Sequence, residues 1–168
     1  IETELLVIPV AEDELLHADE SVLDLVNAAK TYPEFKGRKS DELLLYGPDA
    51  AGPYRAEAAR VLFLGVGKIR ETEPETLRRA AGKAVKKAIQ LALGEMVLSL
   101  PDAGRLLFDL PAAGRSLLEG ACLGNHVFDH YKSEKKQRPV QSIALLTDPG
   151  SAHELKALPG RVEIICKS

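Results

Sequence analysis

The sequence lacks a long apolar run, a strong net charge and any clustering of cysteines. No stretch of about 18 consecutive apolar residues occurs, so no transmembrane helix is predicted. The formal charge is only −3 at pH 7, which argues against a protein that mainly binds nucleic acid. No basic segment or cleavage site precedes the first apolar run, which starts soon after Ile1. We therefore expect no signal peptide and a cytoplasmic location.

The two cysteines lie far apart and form no CxxC pair. Cys122 falls in a helical apolar stripe and Cys166 in a strand-like apolar run. Buried, reduced thiols are typical of such positions in a cytosolic protein. We therefore predict that both side chains are buried and that neither forms a disulfide.

With 168 residues, of which 45% are apolar and 28% charged, the chain fits one soluble globular domain. Periodicity and turn residues predict strands over 5–10, 42–47, 60–67, 95–100, 142–147 and 162–166. They predict helices over 21–30, after 72–75, from near 111 to before 139, and over 151–158. This alternation indicates an α/β domain with three αβα layers. The neighbouring strands 42–47 and 60–67 favour a mixed, mostly parallel sheet.

Two helix starts are predicted from capping residues. Ser21 is the expected N-cap of the first helix, and Thr72 with Glu75 the expected capping box of the second. The second helix carries an apolar stripe that should face the sheet, and cations on or near its opposite side. The stripe is Leu77, Ala81, Ala84, Val85, Ala88 and Ile89, and the cations are Arg78, Arg79, Lys83, Lys86 and Lys87.

A glycine-rich turn, Gly65 to Lys68, follows a strand and precedes a helix, as phosphate-binding loops do. A dinucleotide fingerprint needs a glycine where Arg70 stands. A P-loop needs a glycine at Leu62 and a hydroxyl residue at Ile69, so neither pattern is met. The turn is interpreted as structural.

His126 and His130 stand four residues apart and share one helical face, a spacing that can supply two zinc ligands. The HExxH glutamate is absent and no third ligand is evident, so a solvated or hydrogen-bonded pair is predicted. His17 and His153 are isolated in sequence and are assigned no role.

Nucleophilic catalysis has no clear sequence signature either. Ser99, Ser116 and Ser133 lie outside any GxSxG setting, and nothing activates Cys122 as a thiolate. A basic cluster, 132–138, is typical of a solvated helix end. It would form a phosphate-binding patch only if the cationic helix 78–87 lay beside it. From the residues alone, no active site is predicted.

Several segments together resemble the N-terminal domain of cytosolic leucyl aminopeptidases. The most specific is EGACLGNHVFDHYKSEKK at 119–136, with an apolar stripe through Leu117, Ala121, Gly124 and Phe128. The others are ELLVIPV at 4–10, EFKGR at 34–38, which looks like the family's F-x-G-K loop, RVLFLGVGK at 60–68 and the helix 77–91. The resemblance runs in order along nearly the whole chain.

The resemblance implies that residues 1–168 form a single non-catalytic N-terminal domain, similar to macro domains in fold. The parent would be a metalloaminopeptidase that removes N-terminal residues, leucine among them, from peptides. Its active site, with two divalent zinc or manganese ions, would lie in a C-terminal catalytic domain absent from this sequence. No catalytic, cofactor-binding or metal-binding residue is therefore carried over to this chain.

As partners, the resemblance implies the chain's own catalytic domain and a homohexamer, in which this domain shapes access to the active site and contributes subunit contacts. Peptide substrates would bind through the catalytic domain. One alternative is a free-standing macro-like domain that binds ADP-ribose or a related nucleotide. Another, DNA contact through the helix 78–87 and the cluster 132–138, would give binding with a steep salt dependence.

Overall fold

A computed structural model describes residues 2–46, 58–126, 137–156 and 158, together with the backbone of 163–166. None of the helices in these ranges is long and apolar enough to cross a membrane. The elements in chain order are β1 (Leu6–Ala11), α1 (Glu20–Lys30), β2 (Glu42–Tyr46), β3 (Arg60–Gly67), a 3-10 turn (Ile69–Glu71), α2 (Pro74–Gln90), β4 (Glu95–Ser99), α3 (Leu110–Gly124), β5 (Ser142–Thr147), α4 (Ala152–Leu155) and β6 (Glu163–Cys166).

The six described strands form one sheet in the order β2-β3-β1-β4-β5-β6. All neighbouring strands are parallel except β2, which runs antiparallel to β3 at the edge. The predicted mixed, mostly parallel sheet is confirmed. After β1 the chain first adds β2 and β3 on one side of β1. After α2 it adds β4, β5 and β6 on the other side, so the order in which strands are added reverses direction between β1 and β4.

The sheet separates two apolar cores, because successive side chains of a strand point to opposite faces. On β3, Val61 and Phe63 pack toward α1, whereas Leu62 and Leu64 pack toward α2 and α3. The first core includes the buried residues of α1, and the second includes those of α2, α3 and α4. The predicted three-layer arrangement is confirmed, and the apolar stripe predicted on α2 is buried throughout.

Both predicted N-caps are wrong by one or two residues. Helix α1 begins at Glu20, and the carboxylate of Asp19 accepts the Val22 N–H at 3.2 Å. Asp19 takes the cap because its extended backbone (ψ 124°) places the carboxylate over the first turn. Ser21, the predicted cap, lies inside the helix.

At α2 the capping box joins Glu73 and Thr76 rather than Thr72 and Glu75. The Glu73 N–H donates to the Thr76 hydroxyl at 3.1 Å. Thr72 is buried, and its hydroxyl donates to the Lys68 carbonyl at 2.9 Å. Thr72 therefore closes the preceding 3-10 turn and is not available to start the helix.

Helix α3 ends at Gly124, well before Pro139, so the predicted long helix is wrong at its C-terminal end. Asn125 is the C-cap, and its side chain makes two hydrogen bonds to the backbone of Val140. Its amide donates to the carbonyl at 2.8 Å and its oxygen accepts the N–H at 2.7 Å. These bonds fix the helix end beside the start of β5. Residues 127–136, including Phe128, lie outside the described residues.

The predicted burial of Cys122 is also wrong. Leu117 and Ala121 of the stripe are buried, but Cys122 is exposed and Leu123 is 70% exposed. One residue turns a helix by about 100°, so the position after the buried Ala121 leaves the core-facing side. The side chain of Cys166 lies outside the described part of the chain.

Helices α2 and α3 touch through glycines. A Cβ at Gly120 would lie 2.0 Å from the Arg78 carbonyl oxygen, and a Cβ at Gly124 would lie 2.9 Å from the Cα of Gly82. The two backbones therefore approach more closely than any side chain at Gly120 would allow. This contact fixes the layer that covers the second core.

Candidate functional site

The Gly65 to Lys68 segment is covered by another part of the chain. A Cβ at Gly65 would lie 1.9 Å from the Arg38 carbonyl oxygen. The Gly65 N–H donates to the Asp41 carbonyl, and the Gly67 N–H donates to the Gly37 carbonyl, both at 2.9 Å. Strand β3 also continues through Gly67, whose φ is +86°. These N–H groups are thus used to hold the loop 36–41, and are not directed at a phosphate.

Asp41 organises that loop. Its Oδ2 accepts the N–H of Lys36 at 2.9 Å and the N–H of Arg38 at 3.1 Å. Desolvation of the carboxyl raises its pKa, but these two backbone donors and the Arg38 guanidinium outweigh that effect, so the pKa of Asp41 lies below its usual value. The ionised carboxylate therefore stabilises the folded loop.

A crevice opens at the carboxyl ends of the strands, where the direction of sheet growth reverses. Ligands of open α/β sheets bind in such crevices, so this crevice is the first candidate for a ligand-binding site. Its volume is about 560 Å³. It is lined by Ala18, Asp19, Asp102, Ala103, Asp148, Pro149 and Ser151.

The loops after β1 and β4 are joined at this crevice. Oδ2 of Asp102 accepts the Ala18 N–H at 2.7 Å, and the Asp102 N–H donates to the Leu16 carbonyl at 2.9 Å. The crevice wall is therefore a fixed part of the domain.

His17 and Ser99 meet at the same two strand ends. The Ser99 Oγ lies 3.1 Å from the His17 Nε2, and Ser99 and His17 are 0% and 2% exposed, respectively. A histidine at this distance can take the proton of a serine hydroxyl. However, a substrate cannot reach two groups this deeply buried. The pair instead joins the loop after β1 to β4.

Sequence reasoning missed this pair, since it assigned no role to His17 and rejected Ser99 for want of a motif. One signal was available. Ser99 lies near the carboxyl end of one predicted strand and His17 in the loop that follows another, and the carboxyl ends of parallel strands share one edge of a sheet.

The crevice is acidic. Asp148 accepts the Ser151 N–H at 3.1 Å, and hydrogen bonding from the Ser151 side chain holds the pKa of Asp148 below its usual value. Asp19 and Asp102 supply two further carboxyl groups, and none of the described residues that line the crevice is basic. Such a lining opposes the binding of a phosphate group.

The other residues considered from sequence are not brought together. Ser116 is buried in α3 and donates to the Ala112 carbonyl at 2.8 Å. His126 and His153 are exposed, whereas His130 and Ser133 lie outside the described residues. Among the described residues, no group of three or more His, Cys, Asp or Glu side chains is arranged to hold a metal ion.

The cationic face of α2 is partly neutralised. Arg78 pairs with Glu75 and, at 2.8 Å, with Glu119 of α3. Arg79 also pairs with Glu75, at 3.2 Å. Lys87 pairs with the β2 residue Glu42 at 2.8 Å. Of the cluster 132–138, residues 132–136 lie outside the described ranges, so its relation to this helix stays a prediction.

The fold defines a three-layer α/β domain with an acidic crevice at the switch between β1 and β4. Residues 7–135 match the sequence model of a protein family described as the cytosol aminopeptidase family, N-terminal domain. The chain therefore belongs to this family, as its resemblance in sequence predicted.

Relatives in sequence agree with this assignment. A probable cytosol aminopeptidase of Pseudomonas syringae pv. tomato is 26% identical over 98% of this chain and 34% of its own length. One of Acidobacterium capsulatum is 30% identical over 79% of this chain and 25% of its own. The chain thus spans between a quarter and a third of these relatives.

Two solved structures share the fold. A mutant tomato leucine aminopeptidase matches 93% of this chain and 32% of its own, with a TM-score of 0.64 and 20% identity. The bottromycin maturation enzyme BotP in complex with Mn matches 85% of this chain and 26% of its own, with a TM-score of 0.58 and 19% identity.

Proposed function

We propose that this chain is the non-catalytic N-terminal domain of a leucyl-type metalloaminopeptidase. The observation that carries the proposal is the match of residues 7–135 to the N-terminal domain of the family, combined with the far greater length of the relatives. The parent would remove N-terminal amino acids from peptides in the cytoplasm. A following C-terminal domain would bind the peptide and hold two divalent ions, zinc or manganese, that activate water and polarise the scissile carbonyl.

The chemistry of the crevice supports a non-catalytic role. Each of its carboxylates already makes a local structural contact, since Asp19 caps α1, Asp102 accepts from Ala18, and Asp148 accepts from Ser151. Carboxylates used in this way hold loops in place. Together with the sealed His17–Ser99 pair, they suit a scaffold better than a reaction site.

The domain's role would be to contact neighbouring domains of the hexamer and to shape access to the active site. Two exposed apolar side chains support contact at the carboxyl edge of the sheet. Leu15 follows β1 and is 45% exposed, and Leu107 follows β4 and is 73% exposed. Contact with another protein surface would remove these two leucine side chains from water.

The test is hydrolysis of leucyl-p-nitroanilide by the purified 168-residue chain with manganese or zinc added. We expect no turnover above a blank that contains the metal alone, and metal-dependent turnover by the parent polypeptide. The Ser99→Ala variant is the control for unexpected activity, because it removes the hydroxyl that lies 3.1 Å from the His17 Nε2. Turnover by the isolated chain that survives repurification would contradict the proposal.

The alternative of ADP-ribose binding is opposed by the acidic crevice, which would repel a diphosphate. Calorimetric titration with ADP-ribose tests it directly. Saturable heat would revive this alternative, and its absence at millimolar ligand would dismiss it.

A further inference from the structure

A second cavity lies between the loop 36–41 and α2 and shares no lining residue with the acidic crevice. Its volume is about 330 Å³. Leu64 and Gly65 of β3 line it together with loop and helix residues that include Lys39, Thr76 and Lys83. We call it the α2 cavity.

The walls of the α2 cavity are preformed. The loop is fixed by the Asp41 carboxylate and by its backbone contacts to Gly65 and Gly67. On the other side, the Lys87–Glu42 pair at 2.8 Å fastens α2 to the edge of the sheet. A ligand would therefore find the cavity already shaped, which lowers the entropic cost of binding.

The carboxylates in the lining are already engaged. Asp41 accepts two backbone N–H groups, Glu75 pairs with two arginines, and Glu73 belongs to the capping box. Arg79, the lining guanidinium, is the partner of Glu75 at 3.2 Å. Arg38, Arg78 and Arg79 lie beside Asp41 and Glu75, so the charge of these two carboxylates is offset by cations other than the two lysines of the lining.

The two lysines of the lining, in contrast, are not neutralised by a neighbouring carboxylate among the described residues. Neither Lys39 nor Lys83 forms an ion pair with any described residue, and both are exposed at the cavity. Ser40 and Thr76 add hydroxyls to the lining. Ser40 holds a φ of +77°, a left-handed conformation that is uncommon for a residue with a Cβ. Such backbone outliers cluster at ligand-binding positions.

We propose that the α2 cavity binds a small anion through its phosphate or carboxylate group. The ammonium groups of Lys39 and Lys83 supply the compensating charge, and the hydroxyls of Ser40 and Thr76 donate hydrogen bonds. Phosphate and carboxylate oxygens share the acceptor chemistry that these donors require. This site goes beyond the proposed role of the domain in its parent enzyme and does not depend on it.

The experiment is a titration of the ¹⁵N-labelled chain followed by amide chemical shifts. Inorganic phosphate is the probe in one arm and acetate in the other, with sodium chloride added to hold the ionic strength constant. We expect saturable shifts at Ser40, Gly65 and Thr76 in at least one arm. The arm with the lower Kd identifies the anion class.

Four variants distinguish a specific anion site from general electrostatic attraction. Lys39→Gln and Lys83→Gln should each weaken binding about three- to fivefold, the effect of one exposed charge contact, and the double variant should remove saturation. Lys86→Gln is the matched control, because Lys86 is exposed on the same helix and its replacement removes the same charge outside the lining. Its Kd should stay within about twofold of the original.

Two results would overturn the proposal. One is the absence of saturable shifts with both probes up to the millimolar range. The other is equal weakening by Lys86→Gln and Lys83→Gln, which would mean that the anion responds to net charge alone. Unchanged far-UV circular dichroism establishes that each variant is folded.

Discussion

Replacing Gly120 by alanine tests the contact between α2 and α3. The new methyl group would lie 2.0 Å from the Arg78 carbonyl oxygen and 2.7 Å from the Arg78 carbonyl carbon. Both are backbone atoms of α2, so no side chain can rotate away. To restore an ordinary separation, α3 has to move away from α2 by roughly 1.4 Å.

Two opposing effects determine how far Gly120→Ala changes the free energy of unfolding. Alanine is favoured over glycine inside a helix by about 1 kcal/mol. Overpacking a well-packed core costs about 1–3 kcal/mol, and more where backbone has to shift. Because the clash at Gly120 is with backbone, the upper end applies, and we expect a net loss of about 2 kcal/mol in the free energy of unfolding. For a chain of this size that lowers Tm by about 4–8 °C.

The assay is thermal and urea unfolding followed by circular dichroism. Gly82→Ala is the matched control, because its Cβ would lie 3.5 Å from the Gly120 carbonyl oxygen, an ordinary contact in the same helix pair. We expect it to leave stability unchanged or to raise it by up to about 1 kcal/mol. If Gly120→Ala were as stable as the original chain, the close approach of the two helices would be refuted.

Three further predictions concern single side chains. Asp41→Asn should lower the free energy of unfolding by about 1 kcal/mol at pH 7. Because the folded-state pKa of Asp41 is depressed, its carboxylate stabilises the fold above the unfolded pKa, and this is lost as the pH falls through the folded pKa. In urea titrations the deficit should therefore shrink between about pH 5 and pH 2, and a constant deficit would contradict the role of the charge. Ser99→Ala should cost about 1–3 kcal/mol, because His17 loses a buried hydrogen bond; an unchanged urea midpoint would argue against that bond. Cys122 should react rapidly with Ellman's reagent in the folded chain, and Cys122→Ser should lower the amplitude of the fast phase by one thiol; an unchanged amplitude would restore the view that Cys122 is buried.

The layered fold could be predicted from sequence because its strands and helices have clear periodicity. The all-apolar run of β3 indicated a strand covered on both faces. The adjacency of β2 and β3 favoured a mixed sheet, and the structure pairs these two strands antiparallel. The ends of the helices were harder to predict from the sequence. The cap at Asp19 depends on local backbone geometry, and the end of α3 depends on Asn125 binding the distant Val140. The contact between Asn125 and Val140 has no local signature, whereas Asp19 and Ser21 are both common N-cap residues that only the backbone geometry distinguishes.

The candidate sites show the same limit. The incomplete glycine motifs disfavoured a phosphate loop at Gly65, and what the sequence did not indicate is that the loop 36–41 packs against it. The crevice, by contrast, is assembled from strand ends that are far apart in the chain. That Ala18, Asp102 and Ser151 lie side by side can be inferred only when the strand order is known.

The central claim is that this domain is a scaffold and does not itself build a two-metal centre. Titration of the isolated chain with Mn²⁺, followed by electron paramagnetic resonance, tests that claim most directly. We predict that the signal of the hydrated ion persists and that weak binding, if present, shows no coupling between ions. Tight uptake of two Mn²⁺ per chain with a spin-coupled spectrum would contradict the account.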